Sequence, residues 1–77
     1  ADMRIVRVTA TTKNGSNIVT ATVSGLKPGK ACIVTYNTTS SNYILNAYCS
    51  ANNTLNVTFA NNFNTAGSVI LSVIFEP

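Results

Sequence analysis

The sequence predicts an all-β fold: a small antiparallel β-sandwich or barrel of about six strands, built as one domain over residues 1–77. Three observations carry this reading. Apolar and polar residues alternate in short runs, as where Leu55, Val57 and Phe59 interleave with Thr54, Asn56 and Thr58, which is the period of a half-buried strand. Turn-forming residues punctuate those runs at short, regular spacing. Thr, Asn, Val and Ile weigh against helix throughout, and no segment shows a 3.6-residue period.

The elements follow in order. Residues 3–12 alternate as a first strand, and the Asn14-Gly15 pair after it favours a two-residue hairpin turn. Residues 17–25 then return antiparallel, and Pro28-Gly29 fixes the next change of direction. Residues 31–37 form a third strand, 43–50 a fourth and 54–60 a fifth, the last two separated by a turn at 51–53. Residues 61–67 hold Asn61, Asn62, Asn64 and a closing Gly67. Asn tolerates left-handed backbone and bonds its own backbone, so this segment reads as a tight, ordered loop. The sixth strand, 68–76, is apolar on both faces through Val69, Ile70, Leu71, Val73, Ile74 and Phe75.

Size gives that last strand a consequence. A chain of 77 residues buries only about 60–65% of the surface its unfolded form exposes, so it needs a staple or a partner. There is too little protein here to cover both faces of the sixth strand, and a second subunit is the economical cover. Val69, Ile70, Leu71, Ile74 and Phe75 are therefore the candidate oligomer interface.

Composition narrows the chemistry. The chain has no His, two acidic residues and two Cys, so the ligand types for a metal are missing and no cofactor is expected. Asp2 and Glu76 lie at opposite ends, and the many Ser and Thr have no base to activate them. The protein is not expected to be an enzyme. The five basic residues give a net charge of +3, but Arg4 and Arg7 fall on opposite faces of one strand and no aromatic residues interleave with them, so no nucleic acid is expected. No apolar run reaches the length of a membrane span, and no membrane partner is expected. Tyr36, Tyr43 and Tyr48 are candidates for stacking on sugar, although period-2 counting sets Tyr43 and Tyr48 on opposite faces, one of them toward core or interface. Cys32 and Cys49 read as small buried hydrophobes with free thiols in a reducing compartment, or as a cross-strand or inter-sheet disulfide in an oxidising one. Four matches to the Asn-glycosylation pattern, at Asn14, Asn37, Asn52 and Asn56, are expected by chance in so Asn- and Thr-rich a chain.

Residues 23–36, VSGLKPGKACIVTY, resemble a fibronectin type III turn, but Cys32 stands in the place of that family's tyrosine and the strand order differs. A longer resemblance runs through Val23, Gly25, Leu26, Pro28 and Gly29, then Ala47, Ser50, Ala51, Asn53, Thr54 and Leu55, then Phe59, Asn61, Thr65, Ala66 and Gly67. This progression, with its hydrophobic last strand, resembles small β-sandwich domains of bacteriophage structural proteins. Lys30 stands where that group commonly carries an acidic residue. The resemblance implies a homotrimeric capsid decoration (cement) protein on the outer capsid surface of a virion, with the major capsid protein as partner. The alternative it implies is a head- or tail-fibre domain that binds host surface glycan. Asn61, Asn62, Asn64, Arg4 and Arg7 are then candidate capsid or ligand contacts.

Overall fold

The computed structural model describes residues 2–77. Six strands, β1 (Arg4–Thr12), β2 (Ile18–Thr22), β3 (Cys32–Tyr36), β4 (Ile44–Ala51), β5 (Thr54–Phe59) and β6 (Gly67–Phe75), form one antiparallel sheet in the order β3-β6-β1-β2-β5-β4. The sheet curls until its outer strands β3 and β4 approach each other, giving a nearly closed barrel with no helix among the described residues.

Alternation puts one face of every strand inside. Ala10, Val19, Ala21, Leu55, Val57, Phe59, Leu71, Val73 and Phe75 come from four strands, and Val23 and Leu26 from the turn after β2. Together they make a single core that is almost wholly removed from water. Phe59 sits at one end of it, with Tyr36 and Phe63 meeting its ring edge-on at centroid distances of 5.0 Å each. Such edge-to-face pairs are favoured by the ring quadrupole. The one buried polar side chain among the described residues, Thr12, is satisfied because its Oγ1 donates to the Thr65 carbonyl at 3.2 Å.

The first hairpin differs from the expected two-residue turn. Residues 13–17 separate β1 from β2, and the two strands share a single register pair, Thr11 with Thr20. Ser16 N–H closes on the Lys13 carbonyl, and of the two residues between them only Gly15 has positive φ, at 79°. A tight two-residue hairpin with Asn-Gly needs left-handed backbone at both positions, whereas one positive φ at the third position is the type II pattern, which splays its flanking strands. The 60s loop holds the splay open: Gly15 N–H donates to the Phe63 carbonyl at 2.7 Å, and Phe63 N–H donates to Ser16 at 2.9 Å. β1 instead pairs along its whole length with β6, and β2 with β5. The barrel is thus two three-stranded leaves, β3-β6-β1 and β2-β5-β4, hinged at Thr11 and Thr20.

Candidate functional site

The leaf β3-β6-β1 presents an apolar row on its outer surface. In β6, Leu71, Val73 and Phe75 point inward, so Ile70, Ser72 and Ile74 point outward. Ile74 is in register with Ile5 on one side and Ile33 on the other, making a row of three isoleucines straight across the leaf. Ile5 is 74% exposed and Ile33 57%. The next outward row is Thr35, Ser72 and Arg7, and beyond it Ile70, 49% exposed, faces Thr9. Cross-strand neighbours on one face stand about 5 Å apart, so these isoleucines form a patch rather than scattered residues. Isolated exposed hydrophobes need no explanation, but a contiguous patch does.

The candidate interface from the sequence divides accordingly. Leu71 and Phe75 are fully buried in the chain's own core and have no surface to offer a partner, and Val69 packs against that core as well. Ile70 and Ile74 face outward, joined by Ile5 and Ile33, which period-2 reading of single strands leaves unpaired with them. Only the β1–β6–β3 register reveals the row.

The remaining candidates lie elsewhere. Arg7 borders the isoleucine patch, whereas Arg4 lies on the opposite face of β1. The Arg4 guanidinium covers Gly25, where a Cβ would fall 2.9 Å from its Nη1; that flexible end could move aside, so it is the φ of 92° that requires glycine here. Asn62 and Asn64 are exposed on the 60s loop. Asn61 is held by Asn42, whose Oδ1 accepts from Asn61 N–H at 2.9 Å and whose Nδ2 donates to the Asn61 carbonyl at 3.0 Å. Asn42 therefore completes the ladder as a strand would, and Tyr43 N–H adds a third bond to the same Oδ1 at 3.0 Å.

Both Tyr43 and Tyr48 are outward, at 59% and 50% exposure, in place of the opposite faces expected from alternation. The cause is a β-bulge: Ile44 pairs with Phe59 and Asn46 with Thr58, leaving Leu45 as an extra residue that inverts the face of everything before it. Tyr36 is the tyrosine committed to the core. Tyr48 lies in an outward row with Asn56 and Thr20. Where β1 and β2 diverge, Thr9, Thr11, Thr20, Thr22 and Thr54 line a shallow, open groove of about 330 Å³.

Among the described residues no group of three His, Cys, Asp or Glu side chains converges. The Thr groove holds hydroxyls alone, with neither base nor charge to activate them. The described surface offers exposed aliphatic side chains on one leaf, and on the other hydroxyl, amide and phenol groups together with the exposed Ile18 and Leu45. No protein-family model, curated protein or solved structure matches this chain.

Proposed function

We propose that this protein works by contact rather than by chemistry, as a bacteriophage capsid decoration (cement) protein. In this reading it self-associates into a homotrimer through the outer face of β3-β6-β1 and binds the major capsid protein on the outer surface of the shell. The observation that carries it is the row Ile33–Ile74–Ile5, an aliphatic stripe across three hydrogen-bonded strands that no described element covers. Burying a fully exposed Ile is worth about 1.5–3 kcal/mol, and symmetry repeats each such gain at every interface of a trimer. A trimer that bridges neighbouring capsid subunits adds interface area at each site and raises the free energy needed to separate them. A low charge density keeps such contacts insensitive to salt.

The row of Tyr48, Asn56 and Thr20 favours a second reading, a fibre domain that binds host surface glycan. An aromatic face within a neutral polar rim suits a sugar ring and its hydroxyls. Quantifying this chain against the major capsid protein in purified particles separates the two. A ratio that follows the capsid lattice supports decoration, a few copies per particle supports the fibre, and absence from particles rejects both.

A further inference from the structure

The open seam of the barrel carries a pair of cysteines. β3 and β4 are the free margins of the sheet, and because every ladder between them is antiparallel, they run antiparallel to each other across the gap. The aromatic contact at one end sets their alignment. Tyr36 meets Phe59, and Phe59 is the register partner of Ile44, so the contact is met when Tyr36 is set across the seam from Ile44. Counting back along β3 and forward along β4, with Leu45 passed over as the bulged residue, brings Val34 opposite Ala47 and Cys32 opposite Cys49. All six of these side chains are partly buried and pack against the one core, so both cysteines point to the same side of the seam.

We propose that Cys32 and Cys49 form an intramolecular disulfide that closes the β3–β4 seam and turns the open sheet into a stapled barrel. A disulfide needs its Cα atoms about 4.4–6.8 Å apart, and margins that share no ladder are free to adjust to that spacing. The thiols also sense each other: burial raises the pKa of Cys32, and a thiolate at Cys49 raises it further, a coupling that belongs to near neighbours. One cysteine thiolate attacks a low-molecular-weight disulfide such as oxidised glutathione and expels one glutathione thiolate; the other cysteine thiolate then attacks the protein sulfur of the mixed disulfide and expels the second. The two protein thiols give up two protons and two electrons, and the glutathione disulfide is reduced to two thiols. The staple spans the long connection from β3 to β4, where cross-linking limits the unfolded chain most usefully in so small a domain.

The test is to equilibrate the folded protein with oxidised glutathione, block remaining thiols by alkylation and measure the intact mass. Chymotryptic cleavage at Tyr36 and Tyr43, which lie between the two cysteines, then shows what each is bonded to. The expected product is a monomeric chain lacking two hydrogens, inert to alkylation, with its Cys32 and Cys49 peptides joined until reduction. Its Tm should exceed that of the reduced chain by on the order of 10 °C. Cys49→Ser should take up glutathione at most, with no rise in Tm. The proposal is overturned if the folded wild type keeps two free thiols, yields only glutathione adducts or intermolecular dimers, or melts lower when bridged.

Discussion

Substituting Asn53 with Ala and with Gly separates two contributions that one residue makes to the turn between β4 and β5. Asn53 holds φ of 65°, the only non-glycine residue described with a positive value. Its Oδ1 accepts from Gly25 N–H at 2.9 Å, across 28 residues of sequence. Its backbone completes the junction, with Asn53 N–H donating to Leu26 and Val23 N–H donating to Asn53, each at 2.8 Å. Left-handed geometry costs an ordinary residue such as Ala about 1 kcal/mol that Gly does not incur and that Asn, which tolerates this backbone, largely avoids. The exposed side-chain bond is worth about 1 kcal/mol, since water replaces part of it. Asn53→Ala loses both, about 2 kcal/mol, and Asn53→Gly loses the bond alone, about 1 kcal/mol. With an m-value of about 1 kcal/mol/M for a domain this small, urea midpoints should fall by about 2 M and about 1 M. Far-UV circular dichroism with and without urea reads both. Equal losses for Ala and Gly would refute the backbone contribution, and an unchanged midpoint for Gly would refute the contribution of the bond to Gly25.

Further outcomes follow from other sites. Asn42→Ala removes the side-chain ladder to Asn61 and should cost about 1 kcal/mol; hydrogen exchange at the Asn61 amide should accelerate while exchange at Phe59, whose N–H donates to the Asn17 carbonyl, changes little. Phe59→Ala empties the core between Tyr36 and Phe63 at a cost of about 3–5 kcal/mol, enough to leave the chain largely unfolded by near-UV circular dichroism at 25 °C. The pKa of reduced Cys32 is raised by burial and then by Cys49. The neutral thiol is therefore the form that folding favours: its contribution is complete below the ordinary thiol pKa of about 8.5 and is lost as pH rises through the folded-state value. Reduced wild type should lose stability with alkaline pH more steeply than Cys32→Ser, and parallel curves for the two would contradict this.

The six strands were legible because alternation is a local property, and each begins and ends within one residue of where the pattern places it, except that β2 stops at Thr22, three residues short of the expected end at 25. Their order was less so. Asn14-Gly15 is compatible with a tight hairpin and with a type II turn, and the choice is made by bonds from Phe63, far along the chain. The bulge at Leu45 has no signature in its own sequence, yet it decides that Tyr43 faces out and Ile44 faces in. The Asn-rich segments fall between strands as the pattern places them, but the side-chain partners that hold Asn53 and Asn61 lie 28 and 19 residues away. The candidate surface was half visible. Two apolar faces on β6 were evident from Val69 to Phe75, while the division between core and surface depends on which face the barrel encloses. Ile5 and Ile33 became part of the patch only through register.

Association through that patch is the central claim, and sedimentation equilibrium tests it most directly. Wild type should behave as a trimer at micromolar concentration. Ile5→Asp, at the most exposed position of the row, should sediment as a monomer with unchanged circular dichroism, because a charge there is solvated in the free chain and buried only in the assembly. A wild type that stays monomeric throughout the micromolar range, or an Ile5→Asp variant that still forms the trimer, would contradict the account.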